Sequence, residues 1–214
     1  MTDSVKLAAF AEIEGRVIGA AYATIGRVDA SEGRLTPFLR HSRRVAYENA
    51  WITVWHDEVS LPDGSPGIYG VVHFANRAVG VVAIDDEDRI VLVGQHRYTL
   101  DGESWEIPEG GVPAGESELD GARRELREET GVTAGTWREL ARVDLSNSVT
   151  DERAVLFVAT GLTVGSSSPD ATESLALRWI PFDEAVAMTM DGRITDVMSV
   201  AAILRVALER KGTA

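Results

Sequence analysis

With 214 residues, 44% of them hydrophobic and 26% charged, the chain suits one ample domain carrying at most a small arm. Its 34 acids against 21 lysines and arginines leave a net charge of −13, which repels a phosphate backbone; polymeric nucleic acid is not an expected partner, whereas a small phosphate ester screened by a cation is. The lack of cysteine rules out disulfides, thiolate nucleophiles and zinc–cysteine sites and suits a cytoplasmic protein, and no apolar run approaches the roughly 20 residues of a membrane span.

The N-terminus, MTDSVKLAAF, sets an acid beside its lysine and has no long apolar core, so no signal peptide is expected. LAAFAEIEGRVIGAAYATIGRV mixes apolar residues with glycines and keeps no period, compatible with strands, a poor helix or an arm on another subunit. The basic window SEGRLTPFLRHSRRVAYENA contains Pro37 and reads as a connector. Residues 1–45 are therefore expected to be an N-terminal arm or small extra element, and 46–214 the main domain.

From Trp51 the pattern sharpens. WITVWHDEV alternates as a strand, LPDGSPG is turn chemistry, and IYGVVHFA is a second strand. AVGVVAI and RIVLVGQHR read as two strands around a tight acidic turn, DDED; being almost continuously apolar, they are expected to be covered on both faces. ESWEIPEGG closes that region. RAVLFVATGL and LALRWI read as later strands, PFDEAVAMTM and DVMSVAAILRVALER as helices, with Met190–Asp191–Gly192 as a stop between them. The order predicts an α/β fold, a mixed sheet with helices packed on it.

The acidic stretch GESELDGARRELREETGV carries the chemistry. Ser117 followed by Asp120 resembles a capping box, and Gly131 is placed to end the helix. Leu119, Ala122 and Leu126 recur at helical spacing as a buried stripe. Glu125 and Glu129 stack one turn apart, and Glu128 borders the same face. A solvated glutamate-rich helix is the ordinary alternative, but acids converging beside a buried stripe repel one another, and a hard divalent cation with oxygen ligands relieves this. Arg124 lies about 100° around the helix from Glu125 and is expected to pair with Glu116 or a backbone carbonyl rather than with the site.

The residues Gly110, Glu116, Arg124, Glu125, Leu126, Glu128, Glu129, Gly131 and Val132 fit G-x5-E-x7-R-E-U-x-E-E-x-G-U, with U aliphatic. Seven fixed residue types make a chance match roughly 10⁻⁷ over a chain of this length. The segment resembles the Nudix box without a departure. That resemblance implies an α/β/α sandwich and a Mg²⁺- or Mn²⁺-dependent hydrolase of nucleoside diphosphates linked to another moiety. It implies Glu125, Glu128 and Glu129 as metal ligands, with Glu128 also counted among the catalytic groups. Glu116 would be an auxiliary ligand or would hold Arg124, and the carbonyl of Glu109 would complete the set.

GQHRY at Gly94–Tyr98 and WEIPEGG at Trp105–Gly111 are similar to the QYR…E-(I/L)-P-x-G pattern of ADP-ribose pyrophosphatases, and GRITDVMSVAAIL resembles that group's C-terminal helix. SNSVTDE departs from the group in lacking a proline where a Ser-Pro-Gly-containing stretch often stands. The resemblance implies Arg97 and Glu106 as substrate-binding residues. It implies a general base in a late loop, with Glu173 the nearest candidate, Asp170 the fallback and Glu152 a third. It further implies a homodimer whose N-terminal segments contribute to the partner's site. Trp105 reads as packing, and His41, His56, His73 and His96 show no metal-ligand spacing and read as structural. Two rivals follow: another nucleoside diphosphate derivative, such as a dinucleoside polyphosphate or coenzyme, as substrate, or a non-catalytic ADP-ribose-binding regulator.

Overall fold

A computed structural model describes residues 36–166 and 174–212. The chain clusters into two units, residues 40–59 with 68–214, and residues 1–39 with 60–67. In the smaller unit the described part is mainly a turn closed by Leu61 N–H to Ser65 O (2.8 Å) and Gly64 N–H to Leu61 O (2.9 Å).

Mostly within the larger unit, β1 (Leu39–Glu48), β2 (Ile52–Ser60) and β3 (Pro66–Phe74) form a three-stranded sheet in that order. The stretch read as a connector is thus partly a strand, and the boundary expected after residue 45 falls inside it. Every residue of β1 is exposed, so it carries no buried face to write an alternating pattern into the sequence; its pairing depends on backbone bonds and one side-chain pair. Arg43 donates through Nε and Nη2 to both oxygens of buried Asp57, at 2.7 Å each, and its guanidinium lies 3.8 Å from the Trp55 ring centroid.

The rest of the unit holds β4 (Arg77–Ala83), β5 (Arg89–Arg97), β6 (Gly102–Glu106), β7 (Glu109–Val112), α1 (Glu118–Thr130), β8 (Val132–Asp144), β9 (Arg153–Val164), β10 (Ala176–Pro181), α2 (Phe182–Met190) and α3 (Val197–Gly212). The sheets run β7-β4-β9-β8 and β10-β5-β6, with β4 and β9 parallel and their other pairings antiparallel.

The acidic turn is there, but β4 and β5 do not form the hairpin that the sequence suggests. After a bridge between Ile84 and Ile90 they part into different sheets. The reason is edge occupancy: β4 is already paired on one side with β7 and on the other with β9, and β5 lies between β10 and β6. ESWEIPEGG likewise becomes two strands in two sheets, divided at Ile107–Pro108, where proline offers no N–H to a ladder. Strand β8, unanticipated, is mostly exposed and its pairing with β9 shifts register between Glu139 and Ala141.

Period-two alternation builds the expected sandwich. Val79, Val81 and Ala83 of β4, Val91 of β5, and Val155, Phe157 and Ala159 of β9 pack with Ala122 and Leu126 of α1. The intervening Val82, Ile90, Leu92, Ala154 and Leu156 pack instead with Phe182, Ala185 and Met188 of α2 and Met198, Ala202 and Ile203 of α3. The strands read as covered on both faces are so covered. No described helix is long and apolar enough to cross a membrane.

The Arg43 fork holds the Asp57 carboxyl below the usual carboxylate range, against the effect of burial. A folded-state pKa below the unfolded one stabilises the fold at pH above the unfolded value, about 3.9, and that contribution is lost as pH falls through the folded value. Asp57→Asn is expected to lower Tm by about 2–6 °C at pH 7. Calorimetry at stepped pH below 4 should find this gap closing; a pH-independent gap would refute the ionic account.

Candidate active site

Helix α1 is fixed in phase at both ends. Ser117 Oγ accepts from Asp120 N–H (3.1 Å), and Gly131, left-handed at φ 72°, donates its N–H to Arg127 O. With Ala122 and Leu126 buried, Glu125, Glu128 and Glu129 turn toward β7 and the adjoining surface. Glu129 is buried, at 6% exposure, and its Oε2 accepts from Glu109 N–H at 3.1 Å. The carboxylate of Glu125 lies against Gly110 so closely that a Cβ there would overlap it.

Arg124 corrects one expectation. It pairs with Glu116 (3.1 and 2.9 Å) and with Gly111 O (2.8 Å), as anticipated, but Nη1 also reaches Glu125 Oε1 (2.7 Å) and Glu128 Oε2 (3.1 Å). Helical angle alone had placed it away from the site; a long side chain ending in a planar fork spans that angle. Hydrogen bonding from Arg124 holds the Glu116 carboxyl below the usual range. On this surface Glu125 and Glu128 face Arg124, and Glu129 meets the backbone amide of Glu109. Among the described residues no three carboxylates or histidines stand in the arrangement of a finished cation site.

Arg97, at the end of β5, makes a two-pronged pair with Glu106 of β6 and reaches Glu109 Oε1 at 3.0 Å. Burial would raise the Glu106 carboxyl, but hydrogen bonds from Arg97, Ser104 and Gln95 bring it below the usual range. At 3% exposure Glu106 lies beneath Arg97 rather than along the cavity wall. The resemblance points to the carbonyl of Glu109, but its side chain also stands out in the structure. Among the described residues its buried Oε2 has no hydrogen-bond partner, and burial, then the charges of Asp196 and Glu106, push the carboxyl well above the usual range.

Of these groups Arg97, Glu109, Gly110 and Glu129 border a cavity of about 460 Å³ that Trp51 and Glu152 also wall, whereas Glu116 and Arg124 line another cavity and Glu125 and Glu128 line neither. Burial, followed by the charges of Asp151 and Asp196, also raises the Glu152 carboxyl. Glu173 and Asp170 lie outside the described residues. Trp105 packs against the β-sheet core with Arg178 over its ring at 4.2 Å, as expected of a packing residue. Neither Trp51, Asp196 nor the Glu109 side chain was legible beforehand, for none belongs to a spaced motif.

The donor set fits a hard divalent cation: all oxygen, strongly acidic, with an unsatisfied buried carboxylate oxygen and a bare glycine Cα where a side chain would push Glu125 away. Residues 75–199 match the NUDIX domain model, and residues 40–72 match the model of the nucleoside diphosphate sugar hydrolase N-terminal domain. The chain belongs to the Nudix family. It is similar to an ADP-ribose pyrophosphatase of Mycobacterium tuberculosis, with 35% identity over 77% of this chain and 81% of that protein. It is also similar to a CMP-5'-(N-acetyl-N-hydroxy-3-aminopropyl)phosphonate hydrolase of Streptomyces rubellomurinus, with 30% identity over 73% and 75%. A crystal structure of an ADP compounds hydrolase superposes with a TM-score of 0.77 at 22% identity, covering 85% of this chain and 98% of that one, and so shares the fold. This Nudix protein is a hydrolase of pyrophosphate bonds, in a family that works with divalent cations.

Gly110→Ala separates folding from function here. The group displaced is the free end of a flexible glutamate, so Tm is expected to move by no more than about 2 °C. Moving that carboxylate by about 1 Å is expected to cost about 10²-fold in turnover. A variant with near-normal turnover would show that the Gly110–Glu125 contact does not matter to the site.

Proposed function

We propose that the protein is a Mg²⁺-dependent pyrophosphohydrolase that cleaves ADP-ribose, or a related nucleoside diphosphate sugar, to a nucleoside monophosphate and a sugar phosphate, with Mn²⁺ able to replace Mg²⁺. The observation that carries this reading is the single cavity bordered by Glu129 of the complete box, Arg97 and Glu152. The likeness to an ADP-ribose pyrophosphatase over most of both chains supports the choice of substrate.

In this reading Glu125, Glu128 and Glu129, with the carbonyl of Glu109, hold the cation, and Glu116 keeps Arg124 in place. The bound cation neutralises charge on the diphosphate oxygens and lowers the cost of attack by water. Arg97 binds the diphosphate, and Glu106 acts through Arg97 by fixing its fork. Glu152, lifted above the usual carboxylate range by burial, accepts the proton of the attacking water. Glu173 is the competing base, and comparing Glu152→Gln with Glu173→Gln decides between them. A second substrate reading, another nucleoside diphosphate derivative, is favoured by the similarity to a hydrolase of a CMP-linked phosphonate. The reducing cytoplasm suits a chain without cysteine.

The test is a panel of nucleoside diphosphate derivatives assayed with Mg²⁺ and with Mn²⁺. ADP-ribose is expected to be turned over fastest, and Glu129→Gln to lose at least about 10²–10³-fold while remaining folded by circular dichroism. Near-normal activity in that variant would remove Glu129 from the cation site.

We also propose a homodimer. Strand β1 is exposed along its length, and Val45, Tyr47, Trp51 and Ile68 add exposed apolar surface to the same sheet. Light scattering is expected to give twice the 23.1 kDa chain mass; a monomeric mass would remove the proposal.

A further inference from the structure

His73 has no part in any motif, yet it stands at the centre of a column of stacked groups. Asp57 holds the Arg43 guanidinium, which covers the Trp55 ring; Trp55 in turn stacks on His73 with ring centroids 4.5 Å apart and planes 14° apart. The edge of the His73 ring then meets Asp151, with Nδ1 to Oδ2 at 2.7 Å. Because a carboxylate only accepts, the ring nitrogen donates. The other Asp151 oxygen accepts from Phe74 N–H at 3.3 Å.

Around this contact the loop from Leu145 to Glu152 is tied to β3 and to itself. Val72 N–H donates to Val149 O (2.8 Å), Asp151 N–H to Val72 O (3.3 Å), and Tyr69 Oη to Ser148 O (2.6 Å). At the far end, Leu145 N–H donates to Glu152 O at 3.0 Å. Asp151 and Glu152 are consecutive, yet Asp151 faces β3 while Glu152 borders the cavity that also holds Arg97, Glu109 and Glu129. An anchor on Asp151 therefore also bears on the backbone from which Glu152 projects.

We propose that His73 is a positioning residue of the hydrolase: held flat by Trp55, it anchors Asp151 and thereby aims Glu152 into the diphosphate cavity. The inference rests on the reading of Glu152 as the base. Two substitutions divide what the ring does. His73→Phe keeps a flat ring on Trp55 and removes the donor; His73→Asn gives up most of the ring but keeps a nitrogen donor near the position of Nδ1.

The experiment is steady-state hydrolysis of ADP-ribose by the 214-residue protein with Mg²⁺. Tm is recorded for each variant: His73→Phe, His73→Asn, Glu152→Gln and the His73→Phe/Glu152→Gln double variant. His73→Phe is expected to lose about 10-fold in kcat with KM within about twofold, as for a displaced catalytic group, and Tm within about 2 °C. His73→Asn is expected to recover most of that kcat. The double variant is expected to be no slower than Glu152→Gln alone, because His73 acts only through Glu152. A wild-type kcat in His73→Phe beside a crippled Glu152→Gln overturns the role of His73 and leaves that of Glu152 standing. A wild-type kcat in Glu152→Gln overturns the reading beneath it. Additive losses in the double variant, or a fall in Tm that accounts for the loss of kcat, overturn the positioning role.

Discussion

Carboxylates collected on one face of a half-buried helix repel one another, and desolvation makes each charge dearer than it would be in water. The site of this protein is organised around that cost. Arg124 meets it for Glu116, Glu125 and Glu128 at once, and also binds the carbonyl of Gly111. The backbone amide of Glu109 meets it for Glu129. The helix is thus tied to β7 by its charges as well as by its buried stripe, and β7 is tied to the sheet through β4. Glycine at position 110 is part of the same constraint, because only a bare Cα lets the Glu125 carboxylate lie there.

A second cluster borders the cavity that Glu129 also lines. Arg97 carries one positive charge between Glu106 and Glu109, with Asp196 close enough to raise the Glu109 carboxyl. One guanidinium cannot satisfy all of these acids, and among the described residues one buried oxygen of Glu109 has no partner. A surplus of negative charge in a walled cavity suits a site that admits a cation together with a diphosphate, and it explains how a protein of net charge −13 can handle an anionic substrate. The β1–β3 sheet enters the same logic from outside. Its stacked column ends at Asp151, beside Glu152, a loop carboxylate that borders the cavity.

The features legible in the sequence are those whose cause is local. Caps at Ser117 and Gly131, the Ala122–Leu126 stripe and the shared face of Glu125, Glu128 and Glu129 follow from a 3.6-residue period and from side chains that reach a few residues. The apolar runs of β4 and β5 announced two-sided burial for the same reason. Strand β1 gave no such sign, since a strand with no buried face has no alternation to read. The Nudix box was legible because its residues lie within a single loop and helix.

Partners brought from far along the chain were not open to that kind of reading. The separation of β4 from β5 depends on which strands hold their edges, and β9 reaches β4 from more than seventy residues away. Local angle placed Arg124 outside the site, while packing against β7 brought its fork onto Glu125 and Glu128. Nothing near Glu109 in sequence announces an unsatisfied oxygen, and nothing near His73 announces Asp151, 78 residues on. Helical spacing chose which glutamates face together; the folding of distant strands around them chose which atom each one meets, because a side chain's partner is a matter of position in space and not of order along the chain.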